Sequence, residues 1–161
     1  MTEGTTEIPQ IRIGRFKEPK GAEAYFSRLK LISSTPKFDK YYMCLLLGLQ
    51  ERILGDESDV ESGYFVDSYP GPYATQADII AALLIEAELD RQGLMLSDVQ
   101  GVERLMRRIL SPYSSTRLSV DGIDLLNRYA AGGFSLLRQD IPPTNDVATF
   151  FKLYCKMLIE R

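Results

Sequence analysis

The chain has 161 residues, 45% of them apolar and 25% charged, which is one domain's worth with enough apolar material for a hydrophobic core. It contains no histidine and two cysteines, Cys44 and Cys155. That excludes Ser-His and Cys-His nucleophile systems within the chain and leaves no ligand set for a structural zinc site. Both cysteines fall in apolar helical patterns, so they are expected to be reduced core residues in a cytoplasmic protein. No apolar run follows a basic start and none reaches membrane-spanning length, so neither a signal peptide nor a membrane partner is expected.

The net charge of −3 hides an asymmetry. Residues 8–40 hold eight basic side chains (Arg12, Arg15, Lys17, Lys20, Arg28, Lys30, Lys37 and Lys40) against Glu18, Glu23 and Asp39, a local excess of five that leaves the remainder at −8. Such a segment is either an anion-facing region on an acidic body or a solvated basic face.

Residues 1–9 read as a flexible N-terminus. Residues 10–161 read as a single, mainly α domain of about six helices with a short N-terminal strand. In that strand Ile11 and Ile13 alternate with Arg12 and Gly14, so it must pair with a distant segment or another subunit. Residues 21–32 place Ala22, Tyr25, Phe26, Leu29 and Ile32 on one face of a three-turn helix. Thr35 and Pro36 are a natural cap and first helical residue for the central helix, residues 36–54. This helix is apolar most of the way round, so Tyr42, Met43, Leu46 and Leu47 are expected to meet a second chain. Gly48 within it marks a close helix contact rather than a break.

Residues 55–74 form a loop, with a candidate brief strand at residues 63–69. Its acidic stretch, Asp56 to Glu61, lacks the ligand pattern of an EF-hand. Tyr64, Phe65, Tyr69 and Tyr73 make it too aromatic for a free linker: it either packs down or offers a stacking platform for bases. The remaining helices start at Thr75, Ser97, Ser119 and Thr144 or Asn145 and make a four-helix remainder. Ile79, Val99, Met106 and Phe151 are expected inside, and Glu86, Glu88 and Asp90 on a solvated face. Gly132-Gly133 either ends its helix or admits another backbone. Arg104, Arg107 and Arg108 could hold phosphate or pair with Glu103.

No P-loop and no dinucleotide fingerprint is present, no cofactor is implied, and an enzyme is not expected. The order strand, helix, apolar helix over residues 10–54 is that of β-ribbon DNA readers, in which two subunits pair their strands in the major groove. Arg12 and Lys17 would face nucleic acid, with Arg15 depending on register and Lys37 and Lys40 adding phosphate contacts.

The run Ile11-Arg-Ile, Ser27-Arg-Leu-Lys30, Thr35-Pro36 and Met43-Cys-Leu-Leu-Leu-Gly-Leu49 resembles the small DndE subunit of bacterial DNA phosphorothioation systems. Leu126-Asn127-Arg128 with a nearby glycine is similar to a segment near that family's end. This chain is longer than that family and acidic overall. The resemblance implies a non-catalytic, self-associating subunit of a larger DNA-modification or anti-phage complex, with double-stranded DNA held by Arg12, Arg15, Lys17, Lys20, Arg28, Lys30, Lys37 and Lys40. The alternative is an assembly adaptor that touches no nucleic acid.

Overall fold

Helix α7 (Val120–Asp140) is buried along most of its length, and α3 (Lys37–Glu51) lies along it in the most extensive helix pairing of the fold. The computed structural model describes residues 14–160. In chain order the remaining helices are α1 (Ala22–Phe26), α2 (Lys30–Ser33), α4 (Gly71–Ala74), α5 (Ala77–Gln92), α6 (Val99–Ile109) and α8 (Val147–Glu160). All contribute to one hydrophobic core except α4, whose Tyr73 packs against its edge. Among the described residues, strand pairing is limited to three isolated antiparallel bridges.

Glycine lets α3 and α7 approach this closely. A Cβ on Gly48 would run into the Tyr129 carbonyl, and one on Gly133 into the Cys44 carbonyl. Gly132 faces the Ile53 carbonyl in the same way. The backbones therefore touch where any side chain would hold them apart. Gly48 is a close helix contact, as its setting in an apolar helix suggests, and α7 runs straight through Gly132-Gly133.

Several expected boundaries shift. Residues 21–32 are two short helices, because Leu29 is extended (φ −94°, ψ 93°) and buried. Helices this short have no independent stability, so packing decides the local path. Tyr25 and Phe26 are seated against Phe134 and Phe150, and the Tyr25 hydroxyl donates to the Ile141 carbonyl at 2.7 Å. The Thr35 hydroxyl donates backward to the Ile32 carbonyl, so it closes α2 instead of capping α3. Thr75 ends α4, and Gln76 precedes α5 without a side-chain cap. Asp98, one residue after Ser97, caps α6 by accepting from the Gly101 N–H, and Asp146 caps α8 by accepting from the Ala148 and Thr149 N–H groups. Ser119 caps α7 as expected.

Ile11, Ile13 and Arg12 of the expected strand lie outside the described residues. The described end of that segment pairs within its own chain: Phe16 exchanges backbone hydrogen bonds with Val66 and Phe65, and Lys20 and Glu18 meet Asp59 and Glu61. The loop partner, Phe65 and Val66, lies within the brief strand expected at residues 63–69, and it makes one isolated bridge and no continuous ladder.

Candidate nucleic-acid interface

Asn127, buried on α7, gathers three separate parts of the chain. Its Oδ1 accepts from the Lys17 N–H at 3.1 Å and from the Tyr41 hydroxyl at 2.8 Å, and its Nδ2 donates to the Arg15 carbonyl at 2.9 Å. One side-chain amide thus ties the basic segment to α3 and α7. Its neighbour Arg128 donates from Nε to the Gly55 carbonyl at 2.9 Å, and the Gly55 N–H returns a bond to the Arg128 carbonyl. The Phe16 side chain fills the space beneath, edge-on to Phe38 and Tyr41.

The charges around this hub are mixed. A surface hollow of ≈ 470 Å³ is lined by Lys17, Lys20 and Arg128 and also by Glu57, Glu61 and Asp124. The bridge from Pro19 to Val60 lays the acidic loop beside the basic segment, so much of the excess positive charge is compensated there. Lys37 pairs with Glu18 at 3.1 Å, which holds its ammonium above its ordinary pKa through hydrogen bond and charge together. Lys40 donates to the Ser33 carbonyl at 3.3 Å. The Arg15 guanidinium lies 4.2 Å over the Tyr64 ring. Lys20, Arg28 and Lys30 are exposed, and among the described residues no carboxylate lies within ion-pairing distance of them. The exposed cations of the region without an ion pair among the described residues are therefore these three, together with Arg15 on its aromatic support; Lys17, half-buried, is also in no ion pair.

The aromatic loop packs down: Tyr69 is buried against Phe16 and Phe38, and Tyr73 packs at a tilt against Phe38 and Tyr42 and donates to Asp39. Tyr64 alone stays largely exposed.

Of the residues expected at an interface between chains, Leu47 is fully buried in this chain's own core and has no surface to offer a second copy. Helix α3 is apolar all round because other helices of the same chain surround it. Tyr42, Met43 and Leu46 are half-buried: the Tyr42 hydroxyl reaches Gln76, Tyr154 donates to the Met43 carbonyl, and Leu46 lines a hollow between α3, α5 and the end of α8. Cys44 is buried, and burial pushes its thiol up; Cys155 is exposed. Arg107 pairs with Glu103 at 2.7 Å, and Arg108 lies 3.7 Å from Asp121.

Glu88, expected on a solvated face, is fully buried. Burial pushes its carboxyl upward. Hydrogen bonds from Arg91 (2.7 and 2.8 Å), the Tyr129 hydroxyl (2.7 Å) and Gln92 (2.8 Å) outweigh that push and leave it below the usual carboxylate range. The network is structural, a satisfied buried charge behind the α3–α7 crossing. Its signal was spacing: Glu88 follows Ile80 and Leu84 at helical intervals.

Comparison of the chain with protein-family models, with curated proteins and with solved structures gives no match. Among the described residues no helix is long and apolar enough to cross a membrane, and no group of three acidic or cysteine side chains is placed to hold a metal ion.

Proposed function

We propose that this chain is a non-catalytic helical subunit of a bacterial multi-protein DNA-modification or anti-phage complex, and that it contacts duplex DNA through its basic N-terminal region. The observation that carries this reading is the convergence on Asn127. Asn127, within the Leu126-Asn127-Arg128 run of the resemblance, holds the Arg15–Lys17 backbone and Tyr41 of the central helix at one side-chain amide, and so fixes the basic segment on the helical core. Lys20, Arg28 and Lys30 are the phosphate-contacting groups in this reading, since they are exposed and, among the described residues, in no ion pair, and Arg15 adds a fourth cation.

The test is duplex binding against salt concentration. Phosphate contacts release counterions, so affinity falls steeply with salt, with a slope of about 0.9 for each phosphate neutralised. Lys20→Ala, Arg28→Ala and Lys30→Ala combined should weaken binding equally on all sequences and flatten the slope by about one unit for each cation removed. Absence of DNA affinity at low salt, alone and within its complex, sinks this reading.

A second reading, an assembly adaptor without DNA contact, is favoured by one observation: the acidic loop lies beside the basic segment, with Glu57 and Glu61 lining the same hollow as Lys17 and Lys20. Recovery of a fixed protein stoichiometry unaffected by nuclease, together with no DNA affinity, is its signature.

A further inference from the structure

The face built by α5, α6 and the turn between them leaves apolar surface uncovered. Ala82, Ile85, Leu89, Leu94, Met106 and Leu110 line an open groove of ≈ 760 Å³, and Leu96, also on its wall, is 78% exposed. The rim carries three carboxylates, Asp78, Glu86 and Asp90, and one cation, Arg117. These carboxylates are partly met from the side, Asp78 by Arg117 at 3.5 Å and Glu86 and Asp90 by Arg52 at 3.5 and 2.9 Å, yet their side chains keep well over half of their surface in water. A groove with this floor and rim suits an amphipathic helix with apolar anchors and lysines beside them.

The chain itself carries such a helix. Helix α8 packs inward through Phe150, Tyr154 and Met157. A second stripe at four-residue spacing, Phe151, Cys155 and Ile159, faces outward, with Ile159 81% exposed. Lys152 and Lys156 lie beside it, the latter 3.8 Å from Glu160 in a solvent-exposed pair. Two uncovered apolar surfaces on one molecule, one acidic-rimmed and concave, one lysine-flanked and convex, are complementary.

We propose that the α5–α6 groove of one copy receives the outward face of α8 from a second copy, with Phe151 and Ile159 as anchors and Lys152 and Lys156 against the Asp78, Glu86 and Asp90 rim. This contact uses residues outside the basic segment and stands whether or not the chain binds DNA. It differs from the expected self-association through α3, of which Leu47 is closed within the chain.

The test uses two surface variants of the full chain, Leu96→Asp in the groove and Ile159→Asp on α8. Each should leave the circular-dichroism spectrum unchanged and weaken self-association at least about tenfold in sedimentation equilibrium. An equimolar mixture of the two should form a heterodimer, because the Ile159→Asp copy keeps its groove and the Leu96→Asp copy keeps its helix. As a second measurement on otherwise intact surfaces, Ala82→Cys in a copy that also carries Cys155→Ser should form a disulfide with Cys155 of the unmodified chain under mild oxidant. Three results overturn the proposal: a wild-type chain that stays monomeric up to the highest soluble concentration, self-association that survives either aspartate, or a mixture that remains monomeric while both variants are folded. A groove filled by a different protein belongs to the first of these outcomes.

Discussion

The α3–α7 crossing and the α5–α6 face are built from similar amounts of apolar material and end in opposite states. At the crossing, glycines let two backbones touch, Cys44, Leu45, Tyr129 and Ala130 are sealed from water, and the one buried charge, Glu88, has every hydrogen bond it needs. On the other face, α6 buries little beyond Leu105 and Ile109, while Met95, Leu96, Val99 and Met106 stay in solvent. An apolar side chain costs the fold little when it is exposed singly, but a contiguous exposed patch beside a groove marks a surface kept for something else. Hydrophobic composition alone therefore does not locate an interface; what matters is whether the chain's own helices close over it.

Breaking the crossing should give the largest effects. Gly48→Ala or Gly133→Ala forces a methyl into a facing carbonyl, and backbone cannot step aside as a side chain can. Each should cost at least about 3 kcal/mol, seen as a melting temperature lower by roughly 6–12 °C. A shift of a degree or two would mean that the helices can part without penalty.

Glu88→Ala should rank next, at about 3 kcal/mol, since it strands the buried Tyr129 hydroxyl and removes the partner of Arg91. Its pH signature has a definite sign. The folded carboxyl titrates below its unfolded counterpart, so its contribution is complete above the unfolded value and is lost as pH falls through the folded one. Glu88→Gln should flatten the acid limb of a stability–pH curve in that window, and an unchanged limb would assign acid sensitivity elsewhere.

Asn127→Ala should cost about 2 kcal/mol and free residues 15–17, which it holds by two of its bonds. Limited proteolysis near Lys17 and Lys20 reads that release directly. The smallest effect belongs to the open face: Leu96→Ser should change monomer stability by no more than about 0.5 kcal/mol, measured by denaturant unfolding at low concentration. A large loss there would erase the contrast between the two regions.

The crossing was legible in the sequence and the open face was not, for physical reasons. Gly48 in a run of leucines reads as a contact glycine, while Gly132-Gly133 is equally the pattern of a helix end or of a close backbone, and the structure selects the second. The starts of the six longer expected helices fall within a residue or two of those observed, because Ser119 and the Asp98 region carry local capping chemistry, while the short α2 and α4 carry no such signal. The break at Leu29 was hidden, since it is imposed by the aromatic contacts of Tyr25 and Phe26. So was the meeting of Glu57 and Glu61 with Lys17 and Lys20, which depends on a long-range bridge from Pro19 to Val60. Ile79 and Val99 match a helical period but lie exposed, because a period names a face and not its neighbour. The basic segment could be recognised as a charge excess, while the identity of its free members required the ion pairs to be seen.

Hydrogen exchange of the full chain at low and high protein concentration tests the contrast most directly. The amides of α3 and α7 should be protected equally at both, and those of residues 94–106 together with α8 should exchange faster when dilute and slow as concentration rises. Concentration-independent exchange across residues 94–106 and α8, or a concentration-dependent change in α3 instead, would contradict a closed crossing beside a face completed by a second copy.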